Sequence, residues 1–279
     1  MIAEAEVRRW AARWRVDPMV VDLDYSLGWF LAAFNRAGQL SSPLRFKGGT
    51  CLRKCYFADY RFSEDLDFTA EAFLTSGQLL ESVEHALRWS ADHDGPDFAA
   101  LPPRLEVVAD DYGRESYQVR VYYRGPLRWS GTPRAIRVDV TRDEKLLLPA
   151  EHRRLIHVYS DASALDDVDL ACYPLEEILA EKIRAVGGQR RFAISRDVYD
   201  IYQLVQAGVS VDRVKPLLPA KFAAREVELS SGHADQLTQR RDEFERDWRD
   251  KLSYLIVAPV SFDTAWNTAV EVLRQVTRG

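Results

Sequence analysis

Two aspartates one residue apart, Asp65 and Asp67, alternate with Leu66 and Phe68. On a strand, residues i and i+2 share a face, so both carboxylates point one way while the apolar pair enters a core. Carboxylates roughly 7 Å apart along a strand can converge on one hard divalent cation. An isolated Asp-x-Asp reads more simply as a half-exposed edge strand, but Gly48-Gly49 lies just upstream. A glycine pair at a helix start lets bare backbone amides approach a phosphate, although a Gly-Gly turn alone is most often a tight bend. Asp139, set between Val138 and Val140, is a third candidate ligand; alone it reads as well as an exposed strand residue. Three carboxylates from two adjacent strands suit a two-metal phosphoryl-transfer site, one metal orienting the triphosphate and the other activating a hydroxyl. Ser63 is placed to donate to a phosphate oxygen or to a local turn. Lys47, Lys54 and Arg61 either neutralise triphosphate charge or pair with Asp59 and Glu64.

Lys182 follows Ile178 by four residues and Leu175 by seven, which sets it on or beside an apolar helical stripe. A lysine there requires an anionic partner: a bound phosphate, Glu177 or Glu181, or Asp197 and Asp200 of the next helix. Asp197 shares a face with Ile201 and so points inward. The three cysteines are too few for a disulfide framework. Cys51 and Cys55 are helix neighbours, no Cys or His nearby in sequence completes a zinc pattern, and the reading is of packed core thiols.

These residues need elements to hold them. Asp17-Pro18 caps a helix whose Leu23, Leu27, Phe30, Leu31 and Phe34 recur with helical spacing, with Gly38 as its stop. Leu44–Phe46 is strand-like, Thr50 is placed to cap a helix reaching Tyr56 or Phe57, and Arg61–Phe68 reads as a second strand. Thr75 or Ser76 caps a further helix, residues 91–103 form a loop, and Arg104–Asp110, Tyr117–Arg124 and Ala135–Thr141 are strands. Beyond Pro174 the signals are helical: a stripe from Leu175 to Val186, then helices over about 196–206, 235–255 and 262–276. Residues 1–160, N-terminal helices with a mixed α/β core, and helical residues 161–279 describe two lobes of an α+β chain, with a soft boundary over 150–173.

The composition, 47% hydrophobic and 29% charged over 279 residues, is that of a globular protein, and no apolar run is long enough for a membrane span. A net charge of −5 argues against non-specific coating of nucleic acid. Only seven of the 38 basic residues are lysines, so each lysine at a special position draws interest. With no signal-peptide core at the N-terminus, the expected location is the cytoplasm and no membrane partner is expected.

Lys47-Gly48-Gly49-Thr50-x-Leu52-x-Lys54 and Arg61-x-Ser63-Glu64-Asp65-Leu66-Asp67-Phe68 resemble the first two motifs of the AbiEii/AbiGii (MenT-like) nucleotidyltransferase toxin family. Glu176-Glu177-x-x-Ala180-Glu181-Lys182 resembles its third motif, and Arg196-Asp197-x-Tyr199-Asp200 its fourth. The resemblance implies a DNA polymerase β-like nucleotidyltransferase core completed by a helical C-terminal lobe. It implies that Asp65 and Asp67 hold a catalytic Mg2+ or Mn2+ ion, with Asp139 as third carboxylate. It further implies that Ser63 and the segment Lys47-Gly48-Gly49-Thr50 with Arg61 contact the NTP, that Lys182 binds the triphosphate, and that Asp197, or else Asp200, completes the site. The implied reaction is NMP transfer from an NTP to an RNA acceptor, the tRNA 3′ end above all, blocking translation, in a monomer opposed by a cognate antitoxin. A basic set of Arg53, Lys54, Arg184, Arg190, Arg191 and Arg196 would support an RNA acceptor or simply form a solvated surface. A protein or small-molecule acceptor, or an inactive nucleotide- or partner-binding module, are the alternatives. Cys51 in the first motif, where a small or polar residue is common, and Gly-Gly-Thr in place of Gly-Ser are mild departures.

Overall fold

The computed structural model describes residues 1–36, 43–109, 115–142 and 144–278, with the backbone alone described at Gln189. Two compact units emerge: residues 1–144 with 150–172, and residues 145–149 with 173–279. The first unit contains α1 (Glu4–Trp14), α2 (Pro18–Arg36), β1 (Leu44–Lys47), α3 (Gly48–Cys51, continued by a π-turn over Leu52–Tyr56), β2 (Asp65–Ala70), α4 (Ser76–Asp92), β3 (Arg104–Ala109), β4 (Glu115–Tyr123), β5 (Arg134–Thr141), β6 (Glu151–Arg154) and β7 (Asp169–Cys172). Its seven strands form one sheet in the order β3-β4-β5-β2-β1-β7-β6. The second unit contains α5 (Leu175–Arg184), α6 (Ser195–Gln206), α7 (Val211–Val214), α8 (Leu218–Ala223), α9 (His233–Gln239), α10 (Arg241–Asp247) and α11 (Phe262–Thr277).

β2 is the hub of the sheet, antiparallel to β1 on one side and parallel to β5 on the other. Its Leu66 and Phe68 are buried, as are Ile136, Val138 and Val140 of β5, so the period-two pattern sends their polar neighbours to the opposite face. α2 is buried from Val21 to Phe34, far more of its circumference than a surface helix covers. Asp17 caps it by accepting from the Met19 amide at 2.7 Å. The predicted stop at Gly38 lies outside the described residues, as does Asp110 at the end of the third predicted strand. Thr75 makes the capping box of α4 with Gln78.

Three expectations need correction. The helical run after β1 opens at Gly48 rather than being capped by Thr50, whose hydroxyl sits inside the turn and donates to the Asp65 carbonyl. Residues 61–64 are not strand, because the pairing with β5 begins only at Asp65 opposite Arg137. The helix expected over 235–255 is broken at Arg240, whose guanidinium reaches the Arg190 and Arg191 carbonyls at 3.1 Å each.

Buried charge ties α2 to the rest of its unit. Asp24 accepts from Arg53 Nε at 2.6 Å, Lys54 Nζ at 2.7 Å and the Tyr159 hydroxyl at 2.8 Å. Burial alone would push the Asp24 carboxyl up, but Arg53 and Lys54 override it and hold the group well below the ordinary carboxylate range. A depressed carboxyl contributes stability that is complete above its unfolded pKa and is lost as pH falls below it. Asp24→Asn strands two buried cations, so at neutral pH it should cost about 3–5 kcal/mol in urea unfolding. The gap to the wild type should narrow below about pH 4; a pH-independent gap would exclude this account.

Candidate active site

The glycine turn and the aspartates meet through the register of β1, β2 and β5. Asp67 stands opposite Lys47 on β1 and opposite Asp139 on β5. Gly48 has φ +79°, and a Cβ there would overlap the Asp67 carboxylate, so position 48 must lack a side chain on two counts. A Cβ at Gly49 would come within 2.6 Å of Arg61 Nη2 and 3.0 Å of Ser63 Oγ. The first two motifs are therefore folded against each other, with Gly48 facing Asp67 and Gly49 facing Arg61 and Ser63.

Asp65, Asp67 and Asp139 are half-buried on the polar face of the sheet. Arg137, from the same face of β5, donates from Nη2 to Asp65 at 2.6 Å and pairs through Nε with Asp139 at 3.1 Å. Gln118 Nε2 donates to the other Asp139 oxygen at 3.0 Å. Burial pushes the Asp139 carboxyl up, the Gln118 bond counters it, and the neighbouring Asp67 adds to the rise. Carboxylate oxygens on one face of adjacent strands are the donor chemistry of a hard divalent cation. Yet their oxygens do not all lie within 4.8 Å of one another; among the described residues only the thiols of Cys51, Cys55 and Cys172 do. Instead a guanidinium with 47% of its side chain exposed lies between Asp65 and Asp139.

The cations expected near a phosphate have taken internal partners. Lys47 is buried on Glu144 and also reaches Thr141 Oγ1 at 3.2 Å, Lys54 is buried on Asp24, and Arg61 is buried and donates to the Phe62 carbonyl at 3.1 Å. Asp59 and Glu64, the local partners the spacing suggested, are in none of these pairs. Of the basic set, Arg53 and Lys54 are spent on Asp24, and Arg184 is buried against the Lys221 carbonyl at 3.2 Å. Arg190, Arg191 and Arg196 retain at least partial exposure.

In the second unit Lys182 lies 2.7 Å from Asp197 and 2.8 Å from Asp200, both buried, and Arg190 Nε closes on the other Asp197 oxygen at 2.9 Å. Burial would raise the Asp197 carboxyl, and Arg190 with Lys182 hold it low instead. Among the partners foreseen for Lys182, the structure selects the pair on α6. Glu177 has another task that the sequence did not disclose. It accepts from the Leu147 and Leu148 amides and lies 2.5 Å from the buried Lys221, which donates at 3.1 Å to the Lys145 carbonyl. This ties residues 145–149 to α5. No local pattern marks Lys221, because its partners Glu177, Glu181 and Lys145 lie 44, 40 and 76 positions away.

A mixed sheet that presents carboxylates on neighbouring strands, closed by a glycine turn, is suited to nucleotidyl transfer. The chain belongs to the AbiEii family: the family model described as nucleotidyl transferase AbiEii toxin, type IV toxin–antitoxin system, matches residues 29–269. Its fold is shared with MenT4, a nucleotidyltransferase toxin from Mycobacterium tuberculosis H37Rv, at a TM-score of 0.68 and 22% identity over 99% of this chain and 90% of that one. JHP933 from Helicobacter pylori superposes with a TM-score of 0.53 at 16% identity, covering 94% of this chain and 93% of that one. None of the curated proteins compared matches it significantly.

The two glycines are not equivalent. Gly48→Ala forces a side chain into left-handed backbone and against Asp67, and should cost roughly 1–3 kcal/mol. Gly49→Ala meets chiefly the movable end of Arg61 and should cost less. Thermal unfolding of the two variants decides the point, and equal losses would contradict the geometry.

Proposed function

We propose that this toxin transfers a nucleoside monophosphate from an NTP to an RNA acceptor, the 3′ end of tRNA above all, and thereby stops translation in the cytoplasm. The observation that carries the reading is the closure of Gly48 onto Asp67 while Asp67 and Asp139 stand in register on adjacent parallel strands. Asp65, Asp67 and Asp139 would hold Mg2+ or Mn2+ once Arg137 swings away. The ion, when bound, supplies positive charge to the triphosphate and acidifies the attacking hydroxyl. The acceptor oxygen forms a bond to the α-phosphorus, the bond from that phosphorus to the β-phosphate bridge breaks, and pyrophosphate leaves. Asp139 would be the carboxylate that accepts the hydroxyl proton. Amides at Gly48, Gly49 and Thr50, with Ser63, would orient the phosphates, and Arg61, packed against Gly49, would hold that turn in place.

Lys182 as a triphosphate ligand and Asp197 as its positioning acid are proposed from the motif match. The ion pairs hold the Lys182 amine 2.7 Å from Asp197 and 2.8 Å from Asp200. The RNA acceptor rests on the family resemblance and on Arg190, Arg191 and Arg196. A type IV system implies an antitoxin as the opposing partner.

Incubation with each labelled NTP, magnesium and total tRNA should move label to RNA. Asp67→Asn, which keeps shape and removes charge, should lower kcat by roughly 1,000-fold or more while the fold persists. Label on the protein itself would replace RNA as acceptor. No transfer to any acceptor, with toxicity unchanged in Asp65→Ala, would reject the enzymatic reading.

A further inference from the structure

The fold assembles a group that its local sequence does not announce. Cys51 ends α3, Cys55 lies one turn later on the π-turn, and Cys172 ends β7, 117 positions beyond Cys55. Parallel pairing of β7 with β1 sets Cys172 beside Phe46, and so brings it under the helical run that follows β1. All three thiols are buried, and their sulfurs lie within 4.8 Å of one another. Sulfurs bound to one metal at about 2.3 Å stand roughly 4 Å apart, so little movement separates this arrangement from a ligand set. Lys54 and Arg153 attract negative charge at Cys55, whereas burial pushes the Cys51 thiol up, so deprotonation of the group awaits the metal. No histidine or carboxylate joins the group among the described residues.

We propose that Cys51, Cys55 and Cys172 form a three-thiolate site for one thiophilic d10 cation, Zn2+ or Cu+, separate from the aspartates that would serve the NTP. Three soft sulfur ligands select such ions over Mg2+ or Mn2+, which require oxygen. On binding, the thiols release their protons and three metal–sulfur bonds form, with no change in oxidation state. The site is structural. It fastens the helical run that starts at Gly48 to the strand beside β1, and so fixes the glycine turn from behind.

The test uses the reduced, chelator-treated full chain. Titration with Cd2+, a spectroscopic surrogate, should develop a sulfur-to-metal charge-transfer band that saturates at one equivalent. Zn2+ and Cu+ should each abolish the band in competition, and the tighter competitor names the ion. Metal analysis of protein purified without chelator should return that ion. Cys172→Ser should weaken binding by roughly 100-fold or more, because one of three bonds is lost. Hydrogen exchange across residues 48–56 should slow on metal addition in the wild type and not in Cys172→Ser. If Cys172→Ser does not fold, the wild-type titration and its exchange pattern decide alone. Absence of the band in folded wild type, equal affinity in folded Cys172→Ser, or a disulfide between two of the three in protein that takes up no metal would each overturn the site.

Discussion

The register of β2 is the constraint on which the candidate site depends. β1 and β5 flank this strand, so Asp67 faces Lys47 on one side and Asp139 on the other. A slip of one residue would drive both aspartates into the apolar layer and expel Leu66 and Phe68. The core therefore enforces the direction of the carboxylates: burying two large side chains contributes several kcal/mol, and the acids occupy the positions that remain. Gly48 then closes on Asp67 with no room for a methyl group. Neither contact is adjustable alone, because each is fixed by the same three strands.

The charges of the first two motifs divide by burial. Asp24 with Arg53 and Lys54 is sealed inside the first unit, and Lys47 with Glu144 likewise. Such pairs gain little net energy over apolar residues, but once formed they cannot lose a member without stranding a charge. They specify how α2 and the helical run after β1 dock, and they leave fewer cations for a ligand than the sequence seems to offer. The second unit repeats the device with Glu177, Lys221 and the amides of residues 147 and 148.

Much of this was legible in the residue order, and the rest had a common reason for being hidden. Period-two alternation marked β2, β4 and β5, and cap residues marked the starts of α2 and α4, because these signals are local. β6 and β7 escaped notice: four residues each is too short to show a period, and β6 is an edge strand with three of its four residues exposed. Asp65 and Asp67 could be placed on one face because strand geometry alone does so, whereas Asp139 joins them through the pairing of β2 with β5. The partners of Lys47 and Lys54 could not, because Glu144 and Asp24 lie 97 and 30 positions away. The nearby Asp59 and Glu64 are equally suitable partners by local spacing. The three cysteines show the same limit, since the third comes from the far end of the unit through a strand that local pattern did not mark.

Exposure separates charges that hold the fold from a charge that can yield. Asp24 keeps 2% of its side chain in contact with solvent, and releasing Arg53 or Lys54 from it would leave buried charge unpaired. Arg137 keeps 47%, so its guanidinium can leave Asp65 and Asp139 for water at the modest cost typical of an exposed pair. A divalent cation carries twice the charge in a smaller volume and binds carboxylates through direct coordination. At the proposed metal site it would therefore displace the guanidinium rather than compete with it evenly. On the proposed reading Arg137 keeps like charges from repelling while the cation is away.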